Sequence, residues 1–587
     1  VLGSGMSLNG LSGEHLKFLV DGVPVIGRLN GNIDISQLNV YNVNHIEFVE
    51  GPMSVIYGSN AMAGVVNLIT RENQNYKSYT NLQGYYESVG EYNFNATTSL
   101  RYDHHIFQVS GGRDFFAGYS ENNTGRSKLW KPKRAYFLDG SYIYDKERFK
   151  LKFKTSYYDE FLLSKGNLRK PYFETAFDSY FYTKRFTNKL DISKKVLSNR
   201  YLNILTAYSV FDRKTKNYFV DLTKLEKTLR DADTTKFHSA MLRSTFSKSD
   251  EGRFNYQLGI DLNLDYGSGE KIDGGSKELG DYAAFLSIKY KPVEKLLLQP
   301  GIRLIYNTNY DAPLVYSMNA KYDFYDHLSM RGSFARGFRA PSLKELYLDF
   351  VDVNHKIFGN ENLKAERSYN INGSLLYHAD REKHVYEAEL NYFYNYIENS
   401  IDLVIREDEV GNDPANSVPP YTYLNLNKYA TTGFGLSLNY RYYPNLNVKA
   451  GLNRTNSIIS HENVADQQAM STDYNLSLNY KWIRYDLDIS IFYKYNGKLP
   501  IFSVNTEDEI ALTYKENFQN LDFTIGKSWF ENSLYTNAGL KNIFDNKRIP
   551  YTGSTSGGVH TGGDGSSLVG YGRTFFLSAS YTIKYLK

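Results

Sequence analysis

The most reactive side chains in this 587-residue chain are suited to binding ligands, and they form no recognisable catalytic set. The sequence contains no cysteine, which excludes disulfides, thiolate metal sites and cysteine nucleophiles together. It also lacks a G-x-x-x-x-G-K-[ST] phosphate loop, an H-E-x-x-H zinc motif and a clear nucleophile constellation. We therefore expect the protein not to be an enzyme.

Two kinds of loop residue are suited to holding a ligand. The acidic pieces Asp231-Ala232-Asp233 and Glu407-Asp408-Glu409 supply the oxygen ligands that calcium favours, although two or three acids in a loop are usually just solvated. Aromatic side chains of segment 172–182, beginning with Tyr172 and Phe173, would stack on flat conjugated ligands. Tyrosines near strand ends are also expected at a membrane interface, so both interpretations stay open.

The composition indicates the framework that must position these residues. The chain contains 53 Tyr, 35 Phe and 3 Trp, it is 41% hydrophobic, and its formal charge is +4. Such a balanced charge gives no argument for nucleic-acid binding, and no apolar stretch approaches the ~18 residues of a membrane-spanning helix. A long, polar, tyrosine-rich chain of this kind is typical of an outer-membrane β-barrel.

The C-terminal segment has the clearest strand pattern. From Phe575 to Tyr585 every second residue is apolar, and the residues between them are polar except Phe576. This period of two predicts a strand. Its apolar face, with aromatic residues at both ends, fits a lipid-facing surface, and its polar face fits a watery lumen. The edge of a soluble sandwich would look similar, so the segment alone does not decide.

Repetition along the chain favours the barrel. About ten short polar turns recur, among them Asp103-His104-His105 and Ala379-Asp380-Arg381, and about eleven longer polar stretches lie between them, including 157–185 and 213–236. Ten turns and eleven loops join twenty-two strands. Short turns at one end and long loops at the other are the asymmetry of a bacterial outer-membrane barrel, and a lumen of this size is usually plugged.

Residues 1–72 differ from the rest of the chain. They are glycine-rich and only weakly alternating, with a turn signal at Asp21-Gly22. We expect a compact α/β plug domain with a short helix near 52–62, and we assign residues 73–587 to the barrel. A folded domain inside so wide a lumen would prevent it from leaking.

Several runs of residues carry a family resemblance. Residues 21–24 (DGVP), 43–52 (VNHIEFVEGP), 57–70 (YGSNAMAGVVNLIT), 539–545 (GLKNIFD) and 573–576 (RTFF) resemble, in order, motifs of TonB-dependent outer-membrane receptors. The resemblance covers the whole chain. It implies an all-β membrane protein, a 22-stranded antiparallel transmembrane β-barrel with a small N-terminal α/β plug in the lumen. It also implies the outer membrane of a Gram-negative bacterium and import energised by the TonB-ExbB-ExbD complex.

Two features depart from the family pattern. Glu50 precedes Gly51-Pro52 where the family commonly has arginine, which puts the usual ion pair between plug and barrel in question. The family's earlier plug strands and its TonB box would precede Val1, and no signal peptide is visible. We therefore expect a mature chain that is truncated at its N-terminus.

Segment 338–366 is similar to the paired FRAP and NPDL boxes of haem receptors, with His355 between the boxes. The resemblance implies that His355 binds haem iron, for which neutral imidazole is a good ligand, and that Arg339 and Tyr347 lie at the substrate. Glu361 stands where the second box often has proline. Similar boxes occur in cobalamin and siderophore receptors, so they leave the ligand open.

The plug supplies further candidates. His15 is the better choice for a second haem ligand, because it follows an expected turn, whereas His45 is expected simply to pack. Arg28 lies in a loop, 27–32, that resembles a substrate-facing apex. Its guanidinium would pair with propionates, a ferric catecholate or phosphate, or would remain solvated.

The resulting hypothesis is TonB-dependent import of a scarce metal chelate, either haem or a ferric siderophore. A cobalamin importer is the alternative, and a passive porin or adhesin barrel is the alternative from another class. The expected partners are the TonB-ExbB-ExbD complex, the chelate, and outer-membrane lipids and lipopolysaccharide, without nucleic acid. Long polar loops such as 396–431 would also suit a surface lipoprotein. No cofactor is required beyond the transported ligand.

Overall fold

The fold is described from a computed structural model. The described residues are 6–11, 13–27, 33–51, 53–72, 76–121, 125–351, 356–405, 420–460, 467–504, 510–553 and 566–586. Within them, no helix has the length and apolar character needed to cross a membrane.

The described residues of the C-terminal part form a closed antiparallel barrel of twenty-two strands, as predicted. The barrel closes where the last strand pairs with the first, with Phe576 opposite Glu87 and Ile583 opposite Thr80. The barrel strands are Tyr76–Glu87, Glu91–Tyr102, His105–Phe116, Lys133–Lys146, Phe149–Leu168, Thr175–Leu197, Arg200–Asp221, Glu226–Lys248, Phe254–Gly269, Ser276–Val293, Leu296–Asn307, Val315–Tyr325, Leu328–Arg339, Glu366–Arg381, His384–Ile405, Pro420–Tyr442, Leu446–Ser460, Gln467–Trp482, Leu487–Asn496, Phe518–Trp529, Leu534–Lys541 and Thr574–Leu586.

The alternation in the last strand places its side chains as expected. Phe575, Leu577 and Tyr585 are exposed on the outer surface, whereas Phe576 is buried inside, where its ring stacks on Tyr85 at 5.8 Å. An apolar outer face and a more polar inner face are what lipid outside and water inside require.

The loops are shorter than the sequence suggested. Segment 157–185, predicted as a loop, instead continues the strands Phe149–Leu168 and Thr175–Leu197 and leaves only 169–174 between them. Strands of this sector reach 20 to 23 residues, about twice the length that spans a bilayer. Ladder hydrogen bonds do not need apolar alternation, so pairing continues after the alternation ends. The turn predicted at Ala379-Asp380-Arg381 lies slightly later, at Glu382-Lys383.

The N-terminal segment forms a four-stranded sheet inside the barrel. The predicted turn at Asp21-Gly22 is present, and both residues have positive φ, 49° and 81°. The predicted helix near 52–62 is wrong in length, because Gly58, with φ of 77°, ends it after one turn. The elements are the strands Leu16–Val20, Val23–Pro24, Val43–Glu50 and Gly64–Thr70, the 3₁₀ turns Gly13–His15 and Ile35–Gln37, and the helix Ser54–Tyr57.

Apolar side chains hold the plug sheet together and fix it to the wall. Leu16, Phe18, Met62 and Leu68 pack in one buried cluster, which also includes Ile397 of the barrel. Because burial of a side chain of this size contributes about 1.5–3 kcal/mol, this cluster is a large part of what holds the domain in the lumen.

Most of the smaller elements lie at the end of the barrel that carries the long loops, here called the loop end. The opposite end is called the turn end. A helix begins after Ser342, whose hydroxyl and the Glu345 carboxylate form a capping box. These elements are the helix Leu343–Tyr347, the 3₁₀ turn Ile483–Tyr485 at the turn end, and the loop-end strands Asp349–Val351, Lys356–Phe358, Leu499–Val504, Ile510–Lys515, Arg548–Gly553 and Ser566–Leu568.

Candidate functional site

The part of the plug nearer the loop end contacts the barrel wall through a buried polar network. The Arg185 guanidinium donates to the Ile26 carbonyl at 2.5 Å and to Gln37 Oε1 at 2.8 Å. Gln37 Nε2 in turn donates to Glu160 at 2.9 Å, and the Tyr158 hydroxyl donates to the same carboxylate at 2.9 Å. The network therefore fixes the plug to the wall at Ile26 and at Gln37.

Two arginine–phenylalanine pairs line the lumen beside this segment. Arg185 lies 4.5 Å from the ring centre of Phe211, and Arg213 lies 5.0 Å from that of Phe181. Arg185 already has plug partners, whereas Arg213 forms no hydrogen bond or salt bridge with any described residue. A half-buried guanidinium stacked on a ring and open to the lumen can bind an anionic, aromatic ligand.

The start of the predicted apex loop lies at these pairs. Gly27 has φ of 81°, and a Cβ there would stand 2.5 Å from the Phe211 ring, so only glycine lets the chain pass so close to the wall. Arg28, predicted to contact the substrate, follows immediately and lies outside the described residues.

Arg339 lies in a second polar cluster at the loop end. The residue is only 2% exposed, and its guanidinium donates to Glu345 at 2.9 Å and to Glu366 at 2.6 Å. His15 of the plug joins the cluster, with Nε2 2.9 Å from Glu366. The structure therefore brings Arg339 and His15, both predicted substrate residues, to one carboxylate. In this arrangement both side chains have protein partners.

Burial also affects the acid of the plug beside this cluster. Burial raises the pKa of Glu14, and the neighbouring Glu345 and Glu366 carboxylates add to the rise, while Arg339 and His15 oppose it. The plug thus approaches the cluster with both a histidine and a carboxylate.

Tyr347 ends the helix Leu343–Tyr347 and is 7% exposed. Its hydroxyl accepts a hydrogen bond from Asn309 at 2.7 Å, and the Lys277 ammonium lies 4.4 Å from its ring centre. These contacts make it part of the packing that supports the loop end, close to the box containing Arg339.

The other predicted ligand residues are not gathered with these clusters. Tyr172 and Phe173 lie in connection 169–174 and are 80% and 51% exposed. His355, the predicted haem-iron ligand, lies outside the described residues, as does the acidic piece Glu407-Asp408-Glu409.

The acidic piece Asp231-Ala232-Asp233 lies within a strand and has protein partners. Asp231 accepts from Asn217 at 2.9 Å, and Asp233 lies 3.4 Å from the Lys271 ammonium. Across the described ranges, no cluster of three or more His, Cys, Asp or Glu has the arrangement of a metal site.

Glu50 stands at the turn end of the plug. It lines a cavity of about 970 Å³ together with Glu389 and Arg331 of the wall. No salt bridge to Glu50 is formed among the described residues, so the arginine-based pair common at this position has no counterpart here.

Sequence reasoning missed Arg185, Arg213 and Phe211, because it assigned much of their segments to loops. It included Phe181 only among the aromatic residues of segment 172–182 that would stack on a ligand. In the structure Arg185 stands opposite Phe211, and Thr183 opposite Arg213. The available signal was the alternation of Phe181, Thr183 and Arg185, which places all three on one face of a strand.

Comparisons with known proteins match most of the chain. A family model described as TonB dependent receptor-like, beta-barrel matches residues 84–583, and a model of the TonB-dependent receptor plug domain matches residues 2–65. Three similar solved structures illustrate the likeness in fold. A mutant of the ferric enterobactin receptor PfeA from Pseudomonas aeruginosa has a TM-score of 0.76 at 16% identity, covering 98% of this chain and 91% of that one.

The siderophore receptor PirA from Acinetobacter baumannii has a TM-score of 0.74 at 16% identity, covering 98% of this chain and 91% of that one. The FrpB iron transporter from Neisseria meningitidis has a TM-score of 0.73 at 15% identity, covering 99% and 94%. At these identities the likeness to solved structures concerns the fold alone.

Proposed function

From the premise that this chain belongs to the TonB-dependent receptor family, we propose that it imports a ferric siderophore of the anionic, catecholate type. Family members are transporters of the Gram-negative outer membrane and not enzymes, so the loop end faces the cell exterior and the turn end the periplasm. Uptake depends on the TonB energising complex. The choice of chelate is the proposal.

The observation that carries the proposal is the lumenal guanidinium of Arg213. It lies beside Gly27 of the plug, stacked on Phe181, and it forms no direct salt bridge with any described residue, although the Glu160 and Asp34 carboxylates lie near enough to act on its charge. A ferric tris-catecholate combines negative charge with aromatic rings, and it therefore matches a cation held on a ring. The receptors PfeA and PirA, which share this fold, are named for enterobactin and siderophores respectively.

Transport requires the plug to move, because the plug closes the lumen. The plug closes the lumen through contacts such as Arg185 with Gln37 and His15 with Glu366. A bound chelate can change the plug only by binding one of its states more tightly than another. The outer membrane holds no ATP or ion gradient, so the TonB complex supplies the work that moves the plug.

Equilibrium binding to the purified full-length receptor tests this proposal. Ferric enterobactin, haemin and cyanocobalamin would be titrated separately, following intrinsic fluorescence and, for haemin, the Soret band. We expect ferric enterobactin to bind most tightly. Tighter binding of haemin, with a Soret shift that is lost in His355→Ala, would contradict the siderophore proposal and indicate haem as the transported ligand.

A further inference from the structure

A column of cations follows the inner wall of the barrel from the periplasmic end to the level of Gly27. Three of its members alternate along one strand, two lie on the next, and one lies on the third. We call this set the cationic strip; it consists of Lys150, Lys152 and Lys154, then Lys189 and Arg185, and finally Arg213.

The strand register makes the strip continuous. Lys154 stands directly opposite Lys189, and Arg185 stands opposite Tyr158. Arg213 stands opposite Thr183, which itself pairs with Glu160. At about 3.4 Å per residue, the ten residues from Lys150 to the level of Glu160 extend about 34 Å along the strand.

The plug and its linker cover most of the strip with oxygen atoms. Glu72 lies 2.7 Å from Lys150 and 2.9 Å from Lys152, and Asp21 lies 3.3 Å from Lys154. Lys189 donates to the Asp21 carbonyl at 2.6 Å. Further up, Arg185 donates to the Ile26 carbonyl and to Gln37, as described above.

The wall alone leaves the strip strongly positive. It supplies Asp191, 3.5 Å from Lys189, and Glu160 at the upper end, two carboxylates against six cations. Glu160 is also shared with a further wall cation, Lys133, at 3.8 Å, and the lateral Asp139 accepts from Asn39 of the plug at 3.2 Å. Without Asp21 and Glu72 beside them, the cations of the strip would be uncompensated.

The electrostatics of the plug residues agree with this arrangement. Burial raises the pKa of Asp21, but Lys154, Lys152 and Lys189 lower it more, so that it lies well below its usual range. Burial likewise raises the pKa of Glu72, and Lys152 and Lys150 together lower it to about 2. A cavity of about 140 Å³ already separates plug and wall here, lined by Asp21, Gln37, Lys154, Arg185 and Lys189.

We propose that the cationic strip is the translocation path of the anionic chelate, exposed when the plug carboxylates withdraw and leading from Arg213 to the periplasm at Lys150. This inference rests on the proposed function, because it assumes an anionic cargo. A row of like charges in a channel with low-dielectric walls concentrates counter-ions along its length. The plug carboxylates keep the row neutral while the receptor is closed.

A simple latch is the competing explanation, in which the lysines only hold the plug. Glu72→Gln and the double variant Lys150→Gln/Lys152→Gln separate the two, because both break the two Glu72 ion pairs, from opposite sides. The lysine variant also removes the longer 3.9 Å contact of Lys152 with Asp21. A latch predicts changes in uptake in the same direction for both variants. A path predicts that Glu72→Gln, which leaves the strip intact, retains uptake while the lysine variant loses it.

The experiment measures uptake of radioiron-labelled ferric enterobactin by cells producing each full-length variant, with equilibrium binding measured separately. We expect the lysine variant to bind normally and to have a maximal uptake rate roughly tenfold lower, with Glu72→Gln near wild type. The matched control Lys289→Gln/Lys321→Gln changes two lysines on another sector of the wall and should retain uptake. Equal losses in the lysine variant and Glu72→Gln, or no loss in either, would overturn the path.

A ligand-free measurement keeps the inference testable if ferric enterobactin fails to bind, which would be a failure of the proposed function. The full-length receptor would be placed in a planar bilayer, its plug loosened with urea, and its reversal potential measured in a KCl gradient. We expect anion selectivity that declines in Lys150→Gln/Lys152→Gln and persists in the control. Selectivity unchanged by the lysine variant would contradict the strip.

Discussion

Nε2 of His15, on the plug, lies 2.9 Å from Oε2 of Glu366, on the barrel wall. The other oxygen of the same carboxylate accepts from Arg339 at 2.6 Å and from the Ile401 backbone amide at 2.9 Å. Glu366 is 1% exposed. One buried carboxylate therefore joins the plug, an arginine of the 338–366 segment and a third strand.

Removing this carboxylate should destabilise the receptor. Glu366→Gln leaves the Arg339 guanidinium buried with less compensation, and breaking a buried pair in this way costs about 3–5 kcal/mol. We expect a clear fall in the thermal unfolding temperature of the purified protein. Asp323→Asn, which breaks the exposed Lys321 pair at 2.8 Å, is the control and should change little. An unchanged transition for Glu366→Gln would show that the cluster contributes no stability.

Replacing Arg213 should weaken ligand binding without weakening the fold. Arg213→Gln removes a charge-assisted contact worth about 2 kcal/mol, so the Kd for ferric enterobactin should rise about thirtyfold. Lys184→Gln, an exposed residue on the outer face of the neighbouring strand, serves as the control in the same titration. If Arg213→Gln bound ferric enterobactin with the wild-type Kd, Arg213 would not be part of the binding site.

The plug should become more stable as pH rises through the range in which Lys17 titrates. Lys17 donates to the Tyr57 carbonyl at 2.5 Å, and burial, aided by Arg243, lowers its pKa to about 8. The unfolded value is about 10.4, so between these values the unfolded plug binds a proton that the folded plug does not. Stability therefore rises with pH across this window.

Protease sensitivity of the plug in urea, measured from pH 8 to pH 10, checks the sign of the Lys17 effect. The wild type should need progressively more urea as pH rises, and Lys17→Met should flatten the dependence. If both proteins showed the same dependence on pH, the effect would come from titratable groups other than Lys17.

The sequence was sufficient to predict the barrel, because turn residues recur along the chain and the alternation of apolar and polar residues can be recognised within each strand alone. The sequence was insufficient to predict the site, because the residues that contact each other there are far apart in the chain. Glu366 follows Arg339 by 27 residues, and nothing local indicates that they form a buried pair. Arg213 was missed because its lumenal direction depends on pairing with Thr183, in strands whose outer parts carry no apolar stripe. The helix near 52–62 failed for a local reason, the positive φ of Gly58.

Energy-dependent uptake tests the central claim most directly. Cells producing the full-length receptor would be compared with and without TonB for accumulation of radioiron from ferric enterobactin, at equal receptor levels in the outer membrane. The account predicts accumulation that requires TonB and falls to background in its absence. Accumulation that persists undiminished without TonB would contradict the account, because it would make the barrel a passive pore.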